Sequence, residues 1–296
     1  MSTLGAKWNR FWFEPTRPLA LDICRIVFFG TVFLYFLGRD FSAWADVFPA
    51  FWKPIWLFHR LPLPVFSKGT LKTLELLWRL ALLLSAVGFL TRVSSVIAFV
   101  LGAYLLLMPA NFGYHYREEL ITIITSGILA ASRCGASLSV DSWIKRAREG
   151  RSSTVVAPSG EYTWPIRAVC LALSFVFFGA GVAKLRHSGL EWITSDTLAI
   201  FLVQSNYMSA GHRLTSWGLN VAQHKWLCHL LAAVTIGWEV CFPLTLFSRT
   251  ARWVLLPISL SMLAGIRLLM GAPFELLALC YVFWMPWESL VSWSRR

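Results

Sequence analysis

The residue in this sequence with the clearest potential for chemistry is Lys184, at the end of the apolar run FFGAGVAKLRHSGLEWI over residues 177–193. A lysine held in a dry pocket gives up its proton more readily, because burial disfavours the charged ammonium, and the neutral amine then acts as a general base. Gly179 and Gly181 precede the lysine, and such small residues let a flat ring or another helix approach closely. The alternative is a lysine that extends to the headgroups and caps a helix end, which position alone favours.

Other ionisable residues also interrupt apolar runs. Such a residue deep in a membrane costs at least ~2.5–3.5 kcal/mol, so it is paired, faces a cavity or extends to the surface. Glu239 lies near the middle of its run, and we expect a structural ion pair with Lys184 or Arg267. Pairing with Lys184 would favour the ammonium and oppose a base role. His115, in NFGYHYREE, precedes a helix, where an interfacial histidine is favoured over a catalytic one.

Other kinds of site have no signature in the sequence. His224 and Cys228 are four residues apart, but no third ligand follows at a supporting spacing, so we expect no metal site. The motifs HExxH, GxSxG, GxGxxG and the P-loop are absent. The six cysteines form no CxxC pair and are interpreted as small buried residues. No basic helix is interleaved with stacking aromatics, which argues against a nucleic-acid partner.

The composition indicates a membrane environment. Apolar residues make up 57% of the chain and charged residues 14%, with a mean hydropathy of +0.60. Soluble domains carry about 25% charged residues, so this chain could not cover its surface in water. Charges and prolines in the first 22 residues leave no apolar core for a cleavable signal. We therefore expect a multi-pass protein of the cell membrane whose first span directs insertion, with membrane lipids as partners.

The length of the apolar runs predicts the architecture, because a membrane span needs about 20 mostly apolar residues. The sequence predicts an all-α, multi-pass transmembrane helical bundle that forms one domain over residues 1–296, with no separate soluble domain. Interfacial or re-entrant pieces are expected within residues 39–70 and 188–224. The predicted membrane segments number about eight, at about 19–38, 71–90, 93–110, 116–132, 163–185, 226–247, and two helices within 251–286 that break near 271–274.

The block AGVAKL, followed after a short turn by a tryptophan, resembles the signature of the HTTM superfamily of membrane proteins. Vitamin K-dependent gamma-glutamyl carboxylases belong to this family. The stretches RPLALDICRIVFFGTVFLYF, NFGYHYREELITIITSGILAASRCGASLSVD and TIGWEVCFPLTLFSRTAR are more loosely similar to the family's first, fourth and sixth spans. The resemblance covers about residues 18–285. The chain departs from the family at SMLAGIRLLMGAPF, where other members often carry a histidine.

This resemblance implies a function and a set of site residues. Lys184 stands where the family has the base that deprotonates a quinol, and Ala183 replaces a further lysine of the carboxylases. The family therefore implies that Lys184 deprotonates a membrane-soluble quinol or phenol, which then reacts with oxygen. His115 and Glu239 are expected to help position that substrate. The residues expected to contact the quinol are Gly179, Gly181, Arg186 and Trp192.

Two other classes of function stay open at this point. In the first, the AGV-Lys block only packs helices, and the protein is a non-catalytic assembly, maturation or toxin-tolerance factor. In the second, the charges within the spans belong to a small-molecule transporter, although the absence of inverted repeats counts against that. A base at Lys184 requires the lysine to be dry, whereas the packing hypothesis lets it contact headgroups.

Overall fold

The computed structural model describes residues 3–114, 117–149, 156–208 and 214–293. Helix makes up 79% of the structure, which confirms the all-α class. The described residues contain no strand beyond an isolated β-bridge between Thr16 and Ser159. Their α-helices are α1 Thr3–Phe13, α2 Leu19–Phe36, α3 Trp56–Arg60, α4 Lys68–Val87, α5 Thr91–Leu107, α6 Arg117–Ala131, α7 Val140–Arg148, α8 Thr163–Ser188, α9 Glu191–Thr194, α10 Thr197–Met208, α11 Trp217–Ala222, α12 Lys225–Cys241, α13 Arg249–Met270, α14 Glu275–Leu279 and α15 Trp287–Trp293. Short 3-10 helices are Phe41–Asp46, Pro49–Phe51, Met108–Phe112, Gly160–Tyr162, Phe242–Leu246 and Cys280–Trp284.

Some of these helices are long and apolar enough to cross a membrane, which supports a membrane-spanning protein. Among the described residues there are five, namely Leu19–Phe36, Thr91–Phe112, Gly160–Ser188, Lys225–Leu246 and Arg249–Met270. The predicted count of about eight is not confirmed. Helix α4 has 20 residues, but Lys72, Glu75 and Arg79 fall within every 18-residue window of it. Helix α6 has only 15 residues, and the apolar segment Glu275–Trp284 is shorter still.

The chain divides into two compact units, the first consisting of Met1–Val169 with Val282–Arg296. In this unit α4 packs against both α2 and α5, and α5 packs against α6. Trp78 of α4 is fully buried and donates a hydrogen bond from its indole nitrogen to the Ala98 carbonyl, at 3.0 Å. Gly102 makes this possible, because a Cβ there would lie 2.8 Å from the indole nitrogen. Gly102 on α5 therefore leaves room for the ring of Trp78 on α4.

A buried acid and a buried base anchor the start of α2 in the first unit. One oxygen of Asp22 accepts hydrogen bonds from the backbone and hydroxyl of Ser137 and from the backbone of Leu138, at 2.6–2.7 Å. Arg25 donates to the carbonyls of Ser85 and Ala86, which lie in the last turn of α4. The carbonyls at the end of a helix have no partner within the helix, so the guanidinium satisfies them. These charges hold the ends of two helices and the chain between α6 and α7 together.

The second unit, Cys170–Tyr281, contains most of α8 and helices α9 to α14. Helix α10, which falls in the predicted interfacial or re-entrant segment, has 12 residues. It contacts α11, α12 and α13. Asn206 of α10 is buried and donates to the carbonyl of Leu269 on α13, at 2.9 Å. Helix α13 ends at Gly271, whose φ of 71° is left-handed, and this is the break that the sequence predicted near 271–274.

Candidate functional site

The candidate site in the second unit is built on an ion pair between α8 and α12. The Lys184 ammonium donates to both carboxylate oxygens of Glu239, and its distance to Oε2 is 2.6 Å. The two residues are 55 positions apart in the sequence. The Glu239 side chain is 7% exposed and that of Lys184 is 21% exposed. The structure therefore joins Glu239 to one of the two partners that the sequence offered.

Gly181 allows α8 and α12 to approach closely enough for this pair. A Cβ at Gly181 would lie 2.9 Å from the Glu239 Cβ and 3.0 Å from a methyl group of Val240. A Cβ at Gly179 would meet nothing within 4 Å. The two glycines therefore differ: Gly181 allows close helix packing, and Gly179 faces open space. Their predicted contact with a quinol stays a prediction.

Trp192 lies next to the lysine because the chain turns back at the end of α8. Gly189 ends that helix with a φ of 56°, a left-handed conformation that glycine adopts without strain. After this turn Trp192 places its ring 5.6 Å from the Lys184 ammonium, within the range of a cation–π contact. The ring also contacts Phe201 of α10, with 5.6 Å between centroids. Lys184 is therefore bordered by a carboxylate and by the ring of Trp192, which in turn packs against Phe201.

An aromatic cluster lies along the same two helices, about two turns from Lys184. The ring of Phe177 is 4.7 Å from that of Trp238 and 4.8 Å from that of Phe242. The indole nitrogen of Trp238 is buried and has no hydrogen-bond partner among the described residues. A buried donor without an acceptor is costly, so it is a point at which a bound ligand could gain a hydrogen bond. Sequence reasoning missed this residue, although it directly precedes Glu239.

The remaining predicted residues have different positions. Arg186 is exposed in the last turn of α8. Arg267 pairs with Glu275 at 2.8 Å and donates to the Gly271 carbonyl at 2.7 Å, so it holds the end of α13. His115 lies outside the described residues, and its positioning role stays a prediction.

Comparison with known proteins finds no relative of this chain. The chain matches no family model, no curated protein and no solved structure. The resemblance to the HTTM superfamily stays a prediction from the sequence motifs. The geometry of Lys184, Glu239 and Trp192 carries the functional argument.

Proposed function

We propose that this chain is an integral membrane protein of the vitamin K-dependent carboxylase-like (HTTM) type, which deprotonates a membrane-soluble quinol or phenol at Lys184. In this proposal the chain crosses the cell membrane about eight times. The observation that carries it is the Lys184–Glu239 ion pair beside Trp192, placed on two helices that are apolar enough to span a membrane. An ion pair is expensive to bury, so its position within spans favours a functional site.

In the ion pair Lys184 carries its proton and is not a base, which is the objection that the sequence raised, so the proposal requires Glu239 to take that proton first. Glu239 is in direct contact with the lysine ammonium and can take a proton from it, which leaves a neutral amine and a carboxylic acid. The amine then accepts the proton of a phenolic O–H, and the resulting ammonium stabilises the phenolate by direct charge pairing. No proton is lost in this sequence, since the phenol's proton ends on Lys184 and the lysine's proton on Glu239. The quinol anion then gives two electrons to molecular oxygen, which takes up the quinol's two protons, one directly and one through Lys184, and leaves as hydrogen peroxide. The quinone departs and the ion pair is restored.

The surroundings of the pair suit an aromatic substrate. Trp192 offers a ring surface next to the ammonium and packs against Phe201, and aromatic rings prefer offset or edge-to-face contact with each other. Gly179 has open space in front of it, so a flat ring could approach the backbone of α8 there. The quinol itself would supply the electrons for reaction with oxygen, whereas the chain binds it and moves its proton.

The test is oxygen consumption by the full chain in lipid nanodiscs with a panel of lipophilic hydroquinones. Lys184→Arg keeps the charge and the reach but cannot supply a neutral amine, so we expect it to abolish hydroquinone-dependent uptake at unchanged membrane abundance. Lys225→Arg is the matched control, because Lys225 also pairs with a carboxylate, Asp196, but at the exposed surface. A fully active Lys184→Arg protein would contradict the catalytic role.

A second function is favoured by the close contact at Gly181. The tight approach of α8 to α12 and the charge pair between them are also what a helix-packing motif requires. In this alternative the protein is a non-catalytic assembly or maturation factor. The same assay separates the two, because a packing role predicts that no hydroquinone supports oxygen uptake by the wild-type protein or by Lys184→Arg.

A further inference from the structure

Helix α7 in the first unit is fixed to the end of a membrane-spanning helix. Asp141, in its first turn, accepts hydrogen bonds from the backbone of Leu90 at 2.8 Å and from the backbone of Thr91 at 2.7 Å. It also accepts one from the Thr91 hydroxyl, at 2.8 Å. Thr91 is the first residue of the apolar span Thr91–Phe112. The start of α7 therefore lies at the end of that apolar span, where a span that crosses a membrane meets the lipid headgroups.

The nine residues of α7 form an amphipathic helix. Val140, Trp143, Ile144 and Ala147 share one side at helical spacing, and basic residues occupy the other. Trp143 is 67% exposed, whereas Val140 and Ile144 are partly covered, so Trp143 is the main part of the apolar side that the described chain leaves open. A short helix with tryptophan on one side and basic residues on the other is typical of a helix lying in the membrane interface.

A groove runs between α7 and the turn that joins α4 to α5. Its volume is about 510 Å³, and Phe89, Leu90 and Ile144 provide its apolar lining. Lys145 and Arg148 line it as well. The groove therefore combines an apolar surface with two cations, at the depth where a phospholipid has both its acyl chains and its phosphate.

The cations of the groove are available to a ligand. Arg148 forms no ion pair with any described residue. The Lys145 ammonium pairs with the Glu149 carboxylate, but at 3.9 Å this pair is long. Two acids face the same space. The oxygens of Asp141 are already occupied by Leu90 and Thr91, which leaves Glu149 as the acid that opposes an anion.

We propose that this groove is a binding site for one anionic phospholipid of the surrounding membrane. The lipid phosphate lies between Lys145 and Arg148, and an acyl chain lies against Phe89 and Leu90. Trp143, which does not line the groove, anchors the helix among neighbouring headgroups. This site is independent of the chemistry at Lys184, so either proposal can fail alone.

The experiment is native mass spectrometry of the full chain in mild detergent, titrated with phosphatidylglycerol or with phosphatidylcholine of the same acyl chains. We expect tighter binding of the first phosphatidylglycerol. Lys145→Gln and Arg148→Gln should each weaken it about fivefold, as expected for one basic residue at an anionic surface. Glu149→Gln should strengthen it by a similar factor. Inorganic phosphate should not displace the lipid, because it has nothing to fill the apolar part.

The matched control is the double variant Lys53→Gln with Arg60→Gln, which removes the same two charges from exposed positions elsewhere in the first unit. We expect this variant to keep the preference for phosphatidylglycerol. The proposal is overturned if the wild-type protein binds both lipids equally, or if the control weakens binding as much as the groove variants do. Displacement of the lipid by inorganic phosphate would also overturn it, since the site would then recognise a free anion.

Discussion

The ion pair between Lys184 and Glu239 makes a quantitative prediction about stability. At 2.6 Å and an effective dielectric constant of about 20, the attraction between the two charges is about 6 kcal/mol. Removal of water from both groups opposes that attraction by several kcal/mol. Glu239→Leu removes the attraction and leaves the ammonium desolvated, so it should lower the free energy of unfolding by about 3–5 kcal/mol. Lys184→Met should cost about as much, because the buried carboxylate then loses the cation that it contacts.

The double variant Lys184→Met with Glu239→Leu should recover most of this loss. It leaves no buried charge and replaces the pair with apolar side chains of similar volume, a change that is often neutral or stabilising. The measurement is equilibrium unfolding in mixed micelles, followed by tryptophan fluorescence, with the four proteins forming a double-mutant cycle. Single variants that each cost less than about 1 kcal/mol, with additive effects, would refute the reasoning.

Two further predictions concern single positions, and a third concerns the membrane assignment. Gly181→Ala should destabilise the protein by about 1–3 kcal/mol, because the new methyl group overpacks against Glu239 and Val240. Gly179→Ala should be neutral or stabilising, because the space there is open. Thermal unfolding of both variants in detergent measures the difference. Burial raises the pKa of Asp141, but hydrogen bonds from Thr91 and Leu90 outweigh it, so the pKa lies below its ordinary value. The ionised Asp141 carboxylate therefore stabilises the folded protein fully above about pH 4, and this contribution is lost at lower pH. The difference in free energy of unfolding between the wild type and Asp141→Asn should stay constant from about pH 5 to 8. The protein should also stay in the membrane fraction after alkaline carbonate washing, because five apolar helices cannot be stripped as a peripheral protein can, and its release would contradict the membrane assignment.

Much of the fold could be predicted because apolar runs and glycines are local signals. The break near 271–274 follows from Gly271, and the end of α4 from Gly88, both of which adopt a left-handed conformation. The number of crossings could not be fixed in the same way. Helix α4 is long enough but carries charges, and Glu75 and Arg79 pair with each other one turn apart. A count of hydrophobic residues does not decide whether such a helix crosses a membrane.

The site could be predicted only in part, because its geometry depends on contacts between distant positions. The sequence limited the partner of Glu239 to two cations, but only the packing of α8 against α12 selects Lys184. Gly179 and Gly181 look equivalent in the sequence, and only the helix crossing distinguishes them. The unpaired indole of Trp238 has no sequence signal at all, since hydrogen-bond satisfaction is a property of the folded chain.

The stability of the double variant also bears on function. A charge pair is a poor way to hold two helices together, because apolar side chains of the same size would do so at no desolvation cost. If the pair serves packing alone, the protein with Met at position 184 and Leu at position 239 should be as stable as the wild type and should keep its cellular role. If the pair moves a proton, the same protein should be stable and inactive. Stability and activity measured on this one variant therefore separate the two functions, whereas either single variant changes both together.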